Sequence, residues 1–359
     1  MTWHPLLPDL AAGRSRAPDR GTLDAGGGLS LLLRQAREHG VEYAVTRSLL
    51  RPGWSGLLAD HESTALREVQ AGVVRQGLVW ERLAREALTL LAGGSPPILL
   101  KGAGARAVLY EDPAERHSVD LDLMIPEDSE REALKALEAG GWCDEVSRPS
   151  PRWHVHAMWK EGPLGGLSVE VHRTLDNPER SAIGYALLAP LCRRVETLGR
   201  VCLVPEAPAQ LIVAATHALR HGLDLPLKSL VDVHLGVEAC LRSGGGRWTG
   251  DPGPDPVARA GALLARAPGT AATLGVLLDL SRSLFGTSLP PGWQADLAPP
   301  RWTAPLLSAS VDHGMPGFAR RAVAKSPRRR RLWFQLLLTG SPAVLTRVAW
   351  GWARRRWER

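Results

Sequence analysis

The chain has 359 residues, 44% of them hydrophobic, enough for two or three compact units with buried cores. No run approaches the roughly 18 apolar residues of a membrane span, residues 1–20 hold no apolar signal core, and Cys143, Cys192, Cys202 and Cys240 are too scattered for a disulfide frame or a Cys-x-x-Cys zinc site. The net charge of +7 is uneven: residues 320–359 hold twelve Lys or Arg against one acid, a local +11, so the rest of the chain carries −4.

Reduced thiols without a signal core point to a cytoplasmic setting. Lysine is scarce, five residues against 39 arginines. With the abundant Ala, Gly and Pro, that bias points to a GC-rich bacterial genome and makes each lysine position informative.

Residues 1–27 are rich in Pro, Gly, Asp and Arg and lack periodicity, which predicts a mobile leader. Residues 28–94 read as a helical segment. Leu31, Leu32 and Ala36, then Leu66, Val69, Val73 and Val74, recur at three- and four-residue steps. Arg51-Pro52-Gly53 breaks that segment, and Gly93-Gly94 ends it.

Residues 95–204 change period. Strands are predicted at 97–100 and 118–125, with a short helix at 103–110 between them and another at 127–139. Acids at Glu127, Asp128, Glu130 and Glu132 load the start of the latter, and Gly140-Gly141 stops it. The alternating run Trp153–Lys160 turns through Gly162-Pro163-Leu164-Gly165-Gly166 into Leu167–His172, which predicts a hairpin with Trp153 and Trp159 on its buried face. Residues 205–317 return to helix, at Ala209–His221, Leu227–Leu241 and from Val257 to about Leu284. A Gly/Pro/Asp linker covers 243–256, and a Pro- and Gly-dense connector covers 286–317. Residues 318–359 form a basic, tryptophan-bearing tail. The expected fold is α+β: a small mixed sheet between helical segments.

Chemistry concentrates in the middle. In Val119-Asp120-Leu121-Asp122-Leu123 the two acids share one strand face. Two carboxylates about 4 Å apart near a surface repel by about 4 kcal/mol, which calls for a cation, and a hard divalent ion takes oxygen ligands. Glu170 faces away from Leu167, Val169 and Val171, and completes an acidic cluster if its strand adjoins the first. Such clusters around Mg²⁺ serve phosphoryl transfer; the bland alternative is surface acids on an edge strand. Gly102 and Gly104 are either ordinary turn glycines or an opening for backbone N–H groups onto phosphate. Lys101 is either a charge beside that phosphate or a lysine reaching solvent. Arg116 either neutralises the Asp pair or contacts phosphate.

The Lys-Gly turn, the Arg-x-x-x-Asp-x-Asp strand and the Val-Glu-Val-His strand resemble the polymerase-β-like nucleotidyltransferase superfamily, most of all a little-characterised bacterial branch with lysine before its glycine motif. That resemblance implies Mg²⁺ (or Mn²⁺) and an NTP as co-substrate. It also implies transfer of a nucleoside monophosphate to an acceptor that is a small molecule, a peptide, a protein or an RNA. Asp120, Asp122 and Glu170 would then be the catalytic and metal-binding residues, with Glu170 also a candidate general base. Lys101, Gly102, Gly104 and Arg116 would bind the nucleotide. Gly102-Ala103-Gly104 departs from the usual Gly-Ser or Gly-Gly, so no serine hydroxyl is offered to a phosphate. The alternatives are a non-catalytic nucleotide- or partner-binding module of the same fold, and nucleic-acid binding through the tail.

His217 and His221 have metal-ligand spacing, but a buried histidine or a nucleotide contact outweighs zinc. Lys228 and Asp232, one helical turn apart, read as a local ion pair. In the tail, Arg328–Arg331 and Arg354–Arg356 interleave with apolar residues. This fits a helix packed on the body, an anionic membrane surface or a nucleic acid.

Overall fold

The computed structural model describes residues 4–298 apart from 14–18, 53, 55, 92, 145–154, 163–164, 177–180, 224, 250–254, 265 and 268. The basic tail and Trp153 therefore lie outside the described residues.

The N-terminal helices are α1 (Leu7–Ala11), α2 (Arg20–Ala25), α3 (Gly28–Glu38), α4 (Glu42–Leu49) and the long α5 (Asp60–Leu90). The core follows: β1 (Ile98–Leu99), α6 (Lys101–Val108), β2 (Asp120–Met124), α7 (Glu130–Ala139), β3 (Cys143–Asp144), β4 (Val155–Gly162), β5 (Gly165–His172), α8 (Tyr185–Leu188), β6 (Cys192–Thr197) and β7 (Arg200–Pro205). The C-terminal helices are α9 (Ala207–His221), α10 (Leu227–Arg242), α11 (Pro256–Leu264), α12 (Thr270–Phe285) and α13 (Trp293–Asp296). Among the described residues, no helix is long and apolar enough to cross a membrane.

All seven strands join one mixed sheet in the order β3-β4-β5-β2-β1-β7-β6. The β4–β5 hairpin forms as its alternation predicts. β2 and β5 are parallel neighbours that pair Asp122 with Glu170 and Asp120 with Ser168. Side chains alternate across a strand, so Leu121, Leu123, Val169 and Val171 bury on one face with Trp80, Leu83, Ala84, Ala87 and Leu88 of α5 and Leu137 of α7. The acids take the opposite face. There Ile98, Leu100 and Met124 join a second core with Leu211, Ile212 and Ala215 of α9 and the helices packed around it.

Several sequence expectations are corrected. The stretch read as a leader contains α1 and α2, and its Leu7, Leu10 and Leu23 are buried among the helices. His4 ties this segment down: its N–H donates to Gln35 Oε1 at 2.7 Å, and its Nε2 lies 3.1 Å from the Leu23 carbonyl oxygen. Too few apolar residues sit between the prolines and glycines for any period to register. In the stretches read as linker and connector, Trp248 and Trp293 are buried, with ring centroids 5.1 Å apart in an edge contact. Trp159 is exposed, its ring lying over Gly166, while Met158 takes the buried place. The β6–β7 hairpin was not anticipated. Its turn residues Leu198 and Gly199 both have positive φ, 52° and 72°; leucine is a rare choice for such a turn, so the usual Asn-Gly signal is absent.

Candidate active site

β1 ends at Leu99, and α6 begins at once with Lys101, whose φ of 46° is left-handed. This abrupt turn, for which a non-glycine residue bears a cost of about 1–3 kcal/mol, sends the lysine back over the sheet face that carries the acids. Its ammonium bonds Asp122 Oδ1 and lies 3.7 Å from Glu170 Oε2. The sequence offered phosphate or solvent as the partner of Lys101; the fold also makes it a counter-ion of the carboxylates.

His172 belongs to the same cluster. Its Nε2 is 2.8 Å from Asp122 Oδ1 and 3.4 Å from Glu170 Oε2. Two residues beyond Glu170 on β5, it shares that residue's face; period two alone was the signal that could have found it. Among the described residues, one group of ligand atoms lies mutually within 4.8 Å: Asp122, Glu170 and His172. Asp120 is not in that group. It sits beside Ser118, whose Oγ is 3.4 Å from Asp120 Oδ1.

The electrostatics separate these acids. Burial, and next the charge of Asp122, push the Asp120 carboxyl above its ordinary range. Burial acts the same way on Glu170. There the hydrogen bond from His172 and the Lys101 charge outweigh it and hold the group well below the carboxylate range. A carboxylate so stabilised is held as a negative charge beside Lys101. Burial would release the Lys101 proton, but Asp122 and Glu170 reverse that and hold it above the usual lysine range. The donor set, two carboxylate oxygens and one imidazole nitrogen within reach of one another from Asp122, Glu170 and His172, suits a divalent cation.

Lys101, Gly102, Arg116, Asp120 and Asp122 line one cavity of about 150 Å³, closed by Gln210 and His217 of α9 and Lys228 and Asp232 of α10. A larger groove of about 820 Å³, bordered by α3 and α5, shares Val119, Pro226 and Lys228 with it. Gly102 faces this space, and a Cβ there would meet Ser118 Oγ at 2.5 Å. Gly104 does not line the cavity, and its N–H donates to the Leu100 carbonyl at 3.2 Å. A Cβ at 104 would meet the Leu99 oxygen at 2.5 Å and Gln210 Nε2 at 3.0 Å, so this glycine serves close packing.

Arg116 is engaged elsewhere. Its Nε donates to both Asp232 carboxylate oxygens, at 2.8 and 2.9 Å, and Tyr110 donates its hydroxyl to Asp232 at 2.7 Å. The anticipated Lys228–Asp232 pair is therefore not made: Asp232 already serves two donors. His217 lines the cavity with its ring centroid 4.4 Å from that of His221. Burial, and then the Lys101 charge, push it well below the ordinary histidine range.

The model of a family described as an uncharacterised nucleotidyltransferase matches residues 28–243, more than half of the chain and every residue lining this cavity except Leu277, and the chain belongs to that family. No curated protein and no solved structure matches it.

Proposed function

We propose that this member of the nucleotidyltransferase family moves a nucleoside monophosphate from an NTP to an acceptor at the cavity between the sheet and α9–α10. The observation that carries the reading is the β2–β5 register. It sets Asp122 opposite Glu170 on the strand face that carries Asp120, and the Leu100 N–H just before α6 donates to the Asp122 carbonyl at 2.9 Å. Asp120, Asp122 and Glu170 would hold Mg²⁺ or Mn²⁺. Such an ion, when bound, supplies charge neutralisation at the phosphates. In the reaction an acceptor oxygen bonds the α-phosphorus, the α–β bridging bond breaks, and pyrophosphate leaves. Gly102 borders the cavity where its backbone can approach a phosphate. Lys101 and Arg116, each held by carboxylates, keep the charge around that space fixed.

The test is incubation with each α-labelled NTP and Mg²⁺ in cell extract, wild type beside Asp122→Asn. Label passing to one species with the wild type alone is expected; no label above the variant with any NTP overturns the reading. A second reading, a non-catalytic nucleotide-binding module, draws on the Lys101 ammonium, which already balances Asp122 and Glu170. NTP binding without label transfer would favour it.

A further inference from the structure

We infer that Lys228, at the start of α10, is the phosphate-binding cation of this site, taking a phosphate group where the cavity opens into the larger groove. The inference deepens the nucleotidyl-transfer reading and rests on it for the nucleotide, though not for the anion.

Among the described residues, three cations face the cavity: Lys101, Arg116 and Lys228. Lys101 is bonded to Asp122 and close to Glu170, and Arg116 holds both oxygens of Asp232. Lys228 has no carboxylate within 4 Å among the described residues. Its Nζ lies 3.5 Å from the His117 carbonyl oxygen, and Asp120, Asp122 and Asp232 reach it only through space. The position is nevertheless built. The Lys228 N–H donates to the His39 carbonyl at 3.2 Å, and the lysine stem crosses Gly40, where a Cβ would meet its Cδ at 2.7 Å. A lysine in the first turn of a helix opposes the helix dipole. Burial and the Arg116 charge both disfavour its protonated form. An anion at this point answers all three penalties.

Gln210 of α9 closes the cavity opposite and is 5% exposed. The cavity alone, about 150 Å³, is smaller than the roughly 300–1,000 Å³ of small-molecule sites, whereas the adjoining groove of about 820 Å³ falls within that range. A nucleotide must therefore span both, and Lys228 stands on the wall they share.

The experiment is calorimetric titration of the full chain with Mg²⁺–ATP and, separately, with inorganic tripolyphosphate, together with melting curves of the free protein. The proteins compared are wild type, Lys228→Met, Lys228→Arg and Lys101→Met. Lys228→Met is expected to weaken both ligands by about 10- to 100-fold, the value of a charged hydrogen bond. It is expected to melt no lower than wild type, since an uncompensated charge has been removed. Lys228→Arg should recover most of the affinity. Affinity unchanged in Lys228→Met, or a melting point lowered with affinity intact, overturns the inference while leaving the nucleotidyl-transfer reading standing. Binding of tripolyphosphate but not ATP upholds the anion site and removes the nucleotide. Binding of neither by wild type removes both.

Discussion

Lys101→Met isolates the counter-ion that the fold places on the acidic cluster. The Lys101 side chain is 18% exposed, that of Asp122 2% and that of Glu170 13%, so the pair is largely shielded from water. Removing one partner of a buried pair leaves the other charge uncompensated and typically costs about 3–5 kcal/mol. Methionine keeps the stem's packing and the left-handed backbone of residue 101, so strain is unchanged and the loss reports the charge. At about 2–4 °C per kcal/mol for a domain of 150–250 residues, melting in EDTA should fall by roughly 6–20 °C. A divalent cation that binds only the folded state stabilises by mass action, and in the variant it faces no resident ammonium. Mn²⁺ should therefore raise the melting point of Lys101→Met more than that of wild type. Equal melting in EDTA would refute the counter-ion argument. Equal Mn²⁺ shifts would show that the ion, if it binds, lies away from Asp122 and Glu170.

Glu170 titrates below its unfolded value of about 4.3, so its contribution to stability is complete above that pH and is lost as pH falls through the folded value. Glu170→Gln should flatten the loss of stability below about pH 5. An acid-unfolding profile identical to wild type would contradict the depressed carboxyl. Asp232→Ala strips Arg116 and Tyr110 of their shared acceptor in a site where the Arg116 side chain is 6% exposed and that of Asp232 12%. A loss of about 3–5 kcal/mol in denaturant titration is expected, and a loss under 1 kcal/mol would show the pair to be dispensable. Gly104→Ala brings a methyl within 2.5 Å of the Leu99 carbonyl oxygen. It should destabilise by about 1–3 kcal/mol, and unchanged melting would mean that α6 can shift freely on β1.

The sequence by itself determined which way the site residues point. Alternation of period two settles that Asp120 and Asp122 share a face and that Glu170 opposes Val169 and Val171, because successive residues of a pleated strand point to opposite faces, while the glycines in 162–166 mark where residues 155–172 turn back as a hairpin. Helix ends were legible for the same local reason: acids at the start of α7 and glycines after it act within one turn. Only the tertiary structure decided what these residues meet. β2 lies beside β5 in a register that joins Asp122 to Glu170, 48 residues apart in the chain, on a sheet whose other face packs against α5. Arg116 finds Asp232 across 116 residues, which took that acid from Lys228 at i−4 and left the lysine facing the cavity. Lys101 turns onto the carboxylates because α6 starts two residues earlier than the glycines imply. Each of these is a long-range pairing between charges, and local periodicity carries no record of which partner a charge will reach.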